Sequence, residues 1–386
     1  MERPAIVISD RAKKKIKGKH PWIFSNEVIE KASNIEPGSL VDIRDAQGHT
    51  IALGYFNPHT LIAARVLSYH QEFDLQVRIT AALEFRKRHY DHDVYRLIYG
   101  ESDRLPGLIV DRYSQTLVAQ ILTAGMESFK SEIISSLVTA ISPSRILLRN
   151  DSPYRELEGL SQTTEWAYGT PVAQDIIEID GLKFEISFTE GQKTGFFLDQ
   201  QTNRRRLREY VHGTSMLDVF SYTGAWSMYA AQAGIKEITA IDSSAEASKG
   251  AARSAELNHF TITCLQEDAF QFLRNAYSSE KRYDLIVLDP PAFAKSKKHL
   301  NEALKGYREI NLRAMKLLNR DGILATCSCS QPVTTDEFLE VLRQAAADSG
   351  RNFRLIEFLL HPIDHPPLLS FPESLYLKCA FLQVAS

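Results

Sequence analysis

Two cysteines and an aspartate follow apolar runs in the C-terminal half of the sequence and could take part in a covalent reaction. Cys327 and Cys329 close a run that begins at Ile323, and Asp289 closes a run that begins at Leu285. Addition of a thiolate to carbon 6 of a pyrimidine activates carbon 5 to attack a methyl group on a sulfonium. Because Cys329 lies nearer the end of its run, we predict that it is the nucleophile and that Cys327 packs in the core. Methyl transfer to an exocyclic amine, the alternative, needs no cysteine.

The residues after Asp289 predict a rigid turn. Pro290 and Pro291 fix the backbone and remove two N–H donors, which would present Asp289 at the edge of a sheet. Phe293 could lie against a base that has been flipped out of its stack. We therefore predict that Asp289 is catalytic and that Pro290, Pro291 and Phe293 contact the substrate. An ordinary turn at a strand end remains the alternative.

Further acidic residues end other apolar runs, in an order typical of a nucleoside site. Ligands of open α/β sheets bind outside the carboxyl ends of the strands. There, Asp242 could accept hydrogen bonds from ribose hydroxyls and Asp268 from a purine amine. The pattern predicts an adenosine-containing cofactor. Its predicted contacts are Asp218, Phe220, Ser221, Tyr222, Thr223, Gly224, Asp242, Asp268, Ala269 and Asp289.

Two other kinds of nucleotide site are disfavoured. A dinucleotide fingerprint needs three glycines spaced G-x-G-x-x-G, and the first predicted turn contains only Gly224. The chain also has no G-x-x-x-x-G-K-[ST] run that could hold a triphosphate.

The C-terminal part of the chain must position these residues. After Arg208, apolar strands alternate with amphipathic helices, the pattern of a mostly parallel sheet covered on both faces. The predicted strands are Ser215–Phe220, Glu237–Asp242, Thr261–Leu265, Leu285–Asp289, Gly322–Cys327, Phe353–Leu359 and Tyr376–Val384. Among the helices, Thr335 is predicted to cap residues 336–347. The prediction is a doubly wound, seven-stranded, Rossmann-like α/β domain.

The N-terminal part indicates short strands separated by turns. We predict a β-rich domain over residues 1–75, a middle α+β domain over 76–185 and the catalytic domain over 186–386. The opening segment combines basic and aromatic residues, which offer phosphate contacts and stacking surfaces. The predicted RNA contacts are Lys13, Lys14, Lys15, Lys19 and Trp22. A solvated lysine run beside a core tryptophan is the alternative.

The composition is that of an ordinary globular protein. The 386 residues are 44% hydrophobic and 24% charged, and the net charge of −3 argues against indiscriminate coating of nucleic acid. Because no apolar leader or membrane-length apolar run occurs, we expect a cytoplasmic protein with no membrane partner. Four cysteines are too few for a disulfide framework. Cys327 and Cys329 lack a second ligand pair, so we expect no metal.

Six segments carry a resemblance to a known family. They are Lys19–Asn26, Gly107–Asp111, Lys193–Gln200, Asp289–Phe293, Ser328–Ser330 and Phe371–Lys378. Together and in order, they resemble the bacterial class I 23S ribosomal RNA methyltransferases that make 5-methylcytosine, the ribosomal RNA large subunit methyltransferase I family. The resemblance covers essentially the full length of the chain.

The resemblance implies a fold, a cofactor and a substrate. It implies an N-terminal PUA domain that binds RNA, S-adenosylmethionine bound near Phe220–Gly224, Asp242 and Asp268, and Cys329 as the nucleophile. Within the Lys193–Gln200 segment it implies further cofactor contacts through Phe197, Asp199 or Gln200. The implied partner is 23S ribosomal RNA or an assembling large ribosomal subunit; a homodimer is one option for the oligomeric state.

Two positions depart from the related patterns. The family commonly has a lysine where this chain has Ala292. The related 5-methyluridine methyltransferases place a proton-abstracting glutamate where Lys378 stands, so the base that removes the carbon 5 proton is unassigned. Methylation of a purine amine, and a ribosome-assembly factor that binds RNA without turnover, remain alternative functions.

Overall fold

The computed structural model describes residues 3–31, 34–70, 72–188 and 194–385 and divides the chain into two compact units. Unit 1 contains Met1–Gln174, Ser187–Leu198 and Ile363–Ser374. Unit 2 contains Asp175–Ile186, Asp199–Pro362 and Leu375–Ser386. The sequence-based boundaries after residues 75 and 185 stay a prediction.

The first sheet of unit 1 has six strands. They are β1 (Ala5–Ile8), β2 (Trp22–Ile23), β3 (Val28–Lys31), β4 (Ser39–Arg44), β5 (Thr50–Phe56) and β6 (Ala64–Ser68), in the order β2-β6-β5-β4-β1-β3. The lysine run forms a helix, α1 (Asp10–Lys17), which the sequence did not lead us to predict. Ser9 caps it by accepting a hydrogen bond from the Ala12 amide, and Ala12 and Ile16 are buried in the core of this sheet.

The second sheet of unit 1 shares a core with the first. Its strands are β7 (Val94–Tyr99), β8 (Leu108–Tyr113), β9 (Thr116–Ile121), β10 (Arg145–Asn150) and β11 (Thr163–Tyr168), ordered β11-β10-β9-β8-β7. The accompanying helices are α2 (Leu75–Lys87), α3 (Ala124–Ser128), α4 (Lys130–Ile141) and α5 (Tyr154–Leu157). Tyr55 and Leu67 of the first sheet lie in the same apolar cluster as Leu97 and Leu108 of the second. This shared burial explains why both sheets belong to one unit.

Unit 2 contains a hairpin, apart from its first and last residues, and a seven-stranded sheet. The hairpin pairs β12 (Gln174–Ile179) with β13 (Leu182–Ser187). The larger sheet contains β14 (Ser215–Val219), β15 (Glu237–Asp242), β16 (Thr263–Gln266), β17 (Tyr283–Leu288), β18 (Leu318–Ser328), β19 (Asn352–Leu359) and β20 (Lys378–Ala385). Its order is β16-β15-β14-β17-β18-β20-β19, parallel from β16 to β18, with β20 antiparallel to both neighbours. The predicted seven-stranded α/β fold is confirmed.

Helices cover both faces of this sheet. They are α6 (Gln201–Tyr210), α7 (Ala225–Gln232), α8 (Ala245–Leu257), α9 (Ala269–Ser278), α10 (Leu300–Leu317) and α11 (Thr335–Ser349). Alternate residues of β14 point to opposite faces, so Met216 packs with Trp226 while Leu217 and Val219 pack with Tyr307. This two-sided burial explains why the strands are apolar almost throughout.

The cap of α11 differs from the prediction. Thr334, rather than Thr335, accepts a hydrogen bond from the Glu337 amide, and the Glu337 carboxylate accepts one from the Thr334 amide. The spacing Thr-x-x-Glu in the sequence is the signature of this capping box and would have identified the residue.

Within the described ranges, no helix is both long and apolar enough to cross a membrane.

Candidate active site

The turn after β14 has an unusual backbone. Phe220, Tyr222 and Gly224 have positive φ angles of 63°, 48° and 71°. The amide of Tyr222 donates to Oδ2 of Asp242 at 3.0 Å, which ties the turn to the end of β15. Left-handed non-glycine residues persist only where their surroundings hold them, and they concentrate at binding sites. The predicted nucleoside turn therefore stands out in the backbone itself.

Packing favours a glycine at position 224, in addition to its φ angle. A Cβ atom at this position would come within 3.0 Å of the Cβ of Ala251 on α8. The structure thus gives a reason for the glycine that is independent of the close approach of a ligand.

The two acids predicted to bind the nucleoside already act within the fold. Both oxygens of Asp242 accept backbone hydrogen bonds, from Tyr222 and from Ser244. Asp268 is exposed and caps α9 by accepting a hydrogen bond from the amide of Gln271, and Ala269 behind it is buried. A carboxylate oxygen has two lone pairs, so these bonds leave room for ligand hydroxyl and amine groups.

Asp218 carries an unsatisfied buried oxygen. Its Oδ2 atom accepts hydrogen bonds from the amide and hydroxyl of Ser227, whereas Oδ1 has no hydrogen-bond partner among the described residues. Burial raises the pKa of Asp218 to about 7 despite the bonds from Ser227. The hydroxyl oxygen of Thr223, in the adjacent turn, is also buried without a partner in the described structure. Such atoms are expected where a ligand supplies the missing donor.

Asp289 is held by two side chains that lie far from it in the sequence. The Gln200 amide donates to Oδ1 at 2.8 Å, and the Trp226 indole N–H donates to Oδ2 at 2.9 Å. Burial raises the pKa of Asp289, while the bond from Trp226 and the nearby charge of Arg204 lower it. Gln200 and Asp289, each a predicted cofactor contact, therefore meet at the carboxyl end of β17.

Arg204 of α6 lies at the centre of an acidic cluster. This buried guanidinium interacts electrostatically with Asp289, Asp199 and Asp218, and burial lowers its pKa. Asp199 accepts a hydrogen bond of 2.6 Å from the hydroxyl of Tyr376. Three carboxyl groups interact with one guanidinium, so acidic groups outnumber basic groups in this cluster. A ligand with cationic groups, such as the ammonium and sulfonium of S-adenosylmethionine, would favour the ionised forms of these carboxyl groups.

Arg204, Trp226 and Tyr376 escaped sequence analysis. Arg204 belongs to the run Arg204-Arg205-Arg206, which follows the predicted cofactor segment. This run was the available signal, because an arginine so close to the predicted site could be buried in it. The partners of Trp226 and Tyr376 depend on long-range contacts and left no local pattern.

The two cysteines of β18 differ in burial. Cys327 is fully buried in an apolar cluster with Cys379, and burial raises its pKa well above the usual value. Cys329 lies just after the last residue of β18 and is partly exposed, with Sγ 3.5 Å from the carbonyl oxygen of Pro290. The structure thus brings Cys329 to the double-proline turn, as the sequence suggested. Cys264 is partly buried in β16.

The remainder of the double-proline turn is anchored to the cysteine segment. Oγ of Ser330 accepts a hydrogen bond from the Ala294 amide and pairs with the Tyr307 hydroxyl at 2.9 Å. The ring of Phe293 lies 4.6 Å from that of Tyr307, centroid to centroid, and also near Phe220. Phe293 therefore packs on other aromatic rings of unit 2, which favours a structural role over stacking on a base. Pro290 is buried, and Pro291 is exposed.

The predicted RNA contacts in unit 1 separate into paired and exposed lysines. Lys13 forms an ion pair with Asp45, whose pKa it lowers, and Lys15 forms one with Glu27. Lys14 is exposed and forms no ion pair within the described ranges. Lys19 is also exposed, with its ammonium 4.3 Å from the centre of the Tyr69 ring.

Trp22 is less open than a stacking surface would be. Its indole N–H donates to Glu101 at 2.8 Å, and its ring lies 4.5 Å from the ring of Phe371, centroid to centroid. These contacts support the alternative in which Trp22 is a packing residue.

The remaining predicted cofactor segment is only partly covered. Lys193 lies outside the described residues, and Phe197 belongs to unit 1, where it is partly buried. A run that we did not select, Lys295-Ser-Lys297-Lys298, follows the double-proline turn in unit 2. Its three lysines are exposed and form no ion pair with a described residue. Their clustering was visible in the sequence.

Two family models match the chain. One, described as a PUA-like domain, matches residues 6–69, and the other, described as an S-adenosylmethionine-dependent methyltransferase, matches residues 134–371. The first supports the predicted N-terminal PUA domain, and the second includes the turn after β14, Asp289 and Cys329.

Curated relatives match over nearly the whole chain. Proteins named ribosomal RNA large subunit methyltransferase I from Citrobacter koseri and from Escherichia coli O139:H28 are each 36% identical over 385 residues, covering 97% of this chain and 97% of the relative.

Solved structures show the same fold. The structure of SMU.776, a methyltransferase complexed with SAH, has a TM-score of 0.84 and 19% identity, covering 98% of this chain and 100% of that chain. An S-adenosylmethionine-dependent methyltransferase from Streptococcus mutans has a TM-score of 0.82, with the same identity and coverage. Because the methyltransferase model spans more than half of the chain and the relatives exceed 30% identity over nearly all of it, the chain belongs to the S-adenosylmethionine-dependent methyltransferases, within the ribosomal RNA large subunit methyltransferase I family.

Proposed function

We propose that the protein methylates carbon 5 of a cytosine in large-subunit ribosomal RNA through a covalent bond between Cys329 and the base. The observation that carries this proposal is the partly exposed Cys329 thiol beside the Pro290 carbonyl, while Cys327 two residues earlier is sealed in the core. Methylation of an exocyclic amine does not require the Cys329 thiol at the carboxyl end of β18. Carbon 5 methylation requires a thiol, because carbon 5 becomes nucleophilic only after addition at carbon 6.

The cofactor of this family is S-adenosylmethionine, and the residues of unit 2 fit it. The proposed adenosine contacts are the turn Phe220–Gly224, Asp242 on the ribose hydroxyls, and Asp268 with Ala269 near the adenine. The proposed contacts of the methionine part are Asp199, Gln200, Asp218 and Asp289, where carboxyl groups outnumber guanidinium groups. When bound, the cofactor supplies a methyl group on a positively charged sulfur. Phe197 stays a proposed contact from the family resemblance alone.

Cys329 performs the covalent step in this proposal. Its thiolate sulfur bonds to carbon 6 of the cytosine, and the electron pair of the 5,6 double bond becomes available at carbon 5. After methylation, a base removes the carbon 5 proton, the double bond re-forms and the carbon–sulfur bond breaks, which returns the thiolate. Asp289 and Pro290 keep the residues beside Cys329 in place in this proposal. Two donors fix Asp289, and the Pro290 carbonyl contacts Cys329.

RNA as the substrate is supported by two kinds of observation. The curated relatives carry the name ribosomal RNA large subunit methyltransferase I, and residues 6–69 match a PUA-like domain. Exposed lysines are available to neutralise phosphates, namely Lys14 and Lys19 in unit 1 and the run Lys295–Lys298 in unit 2. Pro291 at the exposed edge of the double-proline turn is the proposed contact nearest the base.

Trapping of the covalent adduct tests the proposal. RNA that carries 5-fluorocytosine at the target should form an adduct with the protein that survives denaturing electrophoresis, because fluorine cannot leave carbon 5 as a proton does. Cys329→Ala should abolish the adduct and methylation but retain cofactor binding. Cys327→Ala is the matched control and should retain adduct formation and methylation. Adduct loss in Cys327→Ala alone would move the nucleophile to that thiol. Methylation by the double variant would overturn the carbon 5 mechanism in favour of amine methylation.

The target must be identified separately. Mapping of modified nucleotides in ribosomal RNA from cells with and without the protein should reveal one missing 5-methylcytosine. RNA binding without any missing modification would instead support the assembly-factor alternative.

A further inference from the structure

A buried lysine lies against the segment that carries Cys329. Lys378 begins β20, pairs with Ser328 across the sheet and is only 2% exposed. Its Nζ atom donates to the carbonyl oxygens of Ser330 at 2.9 Å and Val333 at 2.6 Å. Both carbonyls belong to the turn that follows Cys329, so one ammonium group cross-links both ends of that turn.

The Lys378 ammonium has no ion pair with a carboxylate in the described part of the chain. Burial lowers its pKa to about 8, while the nearby Cys329 and Glu337 oppose that shift. A buried charge without a counter-ion is costly, and lysines are almost never fully buried unless they are paired. The groups whose charges act on the Lys378 ammonium are Cys329 and Glu337 of α11. Tyr307 of α10 interacts with Cys329 in turn, and the thiols of Cys327 and Cys379 are fully buried. Among these, Cys329 is the partly exposed thiol at which the proposed function requires an anion.

We propose that Lys378 is a positioning residue that fixes the turn carrying Cys329 and stabilises the thiolate form of Cys329. The inference rests on the proposed function, because it gives the anion a purpose. On ionisation, the Cys329 proton passes to solvent and Lys378 keeps its own. In this ammonium form Lys378 is a donor only, with two of its three N–H groups engaged with carbonyls, so the inference gives it no part in removing the carbon 5 proton.

A second anchor of the same turn is uncharged and serves as a matched control. Ser330 fixes the turn through Ala294 and Tyr307 without placing a charge near Cys329. Ser330→Ala therefore loosens the turn and leaves the local charge unchanged. Lys378→Met keeps the side-chain length and removes the charge.

The experiment measures the rate of alkylation of Cys329 by iodoacetamide against pH, resolved by peptide mass spectrometry in a Cys264→Ser background. The wild-type thiol should ionise below the ordinary cysteine pKa of about 8.5. Lys378→Met should raise the apparent pKa by about one unit and slow alkylation about tenfold near neutral pH, since the thiolate is the reactive form. Ser330→Ala should leave the apparent pKa in place. Cofactor binding should survive in both variants.

Three outcomes would overturn the inference: an unchanged Cys329 pKa in Lys378→Met, an equal rise in Ser330→Ala, or a wild-type value at or above 8.5. The last applies even if Lys378→Met does not fold. Alkylation does not need RNA, so it tests this inference independently of the proposed function. If Cys329→Ala still methylates RNA while Cys329 of the wild-type protein shows the expected pH dependence of alkylation, the proposed function fails and this inference does not.

Discussion

Replacement of Asp218 by asparagine should stabilise the cofactor-free protein at alkaline pH and weaken cofactor binding. Asp218 is 0% exposed, and both hydrogen bonds from Ser227 end on Oδ2. The amide oxygen of asparagine can take the place of Oδ2 and keep both bonds. Its NH2 group then stands where the unpartnered Oδ1 atom was. The substitution thus removes a buried charge with little change of shape.

The magnitude follows from the pKa of Asp218, which burial raises from 3.8 to about 7. The unfolded chain releases the proton near pH 3.8 and the folded chain only near pH 7. Between these values the unfolded state binds fewer protons, so the free energy of unfolding falls as pH rises and the full penalty is present above pH 7. Each pH unit in this window is worth about 1.4 kcal/mol. The free energy of unfolding of Asp218→Asn, relative to that of the wild-type protein, should therefore be about 2 kcal/mol higher at pH 8 than at pH 5.5.

Urea unfolding of the wild-type protein and of Asp218→Asn at pH 5.5 and at pH 8 measures this difference. Hydrogen exchange of the β14 amides gives a second, local measurement. Asp284→Asn is the matched control, because Asp284 on β17 shows the opposite shift. Burial raises the pKa of Asp284, but hydrogen bonds from Thr214, Asn319 and Ser215 outweigh it and the pKa is lowered. Its ionised form stabilises the fold, and Asp284→Asn should be destabilising at pH 8. An equal effect of Asp218→Asn at both pH values would refute the reasoning, since it would show that Asp218 is already ionised in the folded state.

The cofactor provides the second half of this test. A cationic ligand favours the ionised form of Asp218, so wild-type affinity for S-adenosylmethionine should fall by up to tenfold per pH unit below pH 7. Isothermal calorimetry in buffers of different ionisation enthalpy should detect the proton released on binding. Asp218→Asn should bind more weakly at pH 8 and release no proton, so an unaltered proton release would assign it to another group.

Three further outcomes are expected. Asp242→Ala should weaken S-adenosylmethionine binding by about 1.5–3 kcal/mol, because a charge-assisted hydrogen bond to the ribose is lost; unchanged affinity in calorimetry would remove Asp242 from the ribose site. Replacement of the exposed Lys14 and Lys17 of α1 by alanine should reduce the salt dependence of RNA binding in filter assays, whereas replacement of the ion-paired lysines of that helix should change it less. Trp226→Phe removes one of the two donors to Asp289, so the acidic limb of the pH–rate profile for single-turnover methylation should move to higher pH. A limb that stays in place would show that ionisation of Asp289 does not limit the reaction.

The order of strands along the chain, and which residues end them, could be predicted from the sequence. Apolar runs and the helices between them are local patterns, and parallel strands bring their carboxyl ends to one edge of a sheet whatever the details of packing. That is why Asp242, Asp289 and Cys329 could be named in advance at the ends of β15, β17 and β18. Gly224 was also visible, although its φ angle and its contact with Ala251 were not.

Tertiary structure decided which polar groups meet and which are exposed. Gln200 and Asp289 are 89 residues apart and Lys378 and Ser330 are 48 apart, so no local pattern links them. The segment Ile363–Ser374 belongs to unit 1 although both of its flanks belong to unit 2, and this placed Phe371 against Trp22. The lysine run appeared uniformly basic in the sequence, yet helix geometry and the neighbouring acids left Lys14 exposed and paired Lys13 and Lys15. Sequence periodicity determines where a chain is buried, whereas the partners of a buried charge are determined by long-range packing, which no short window of sequence contains.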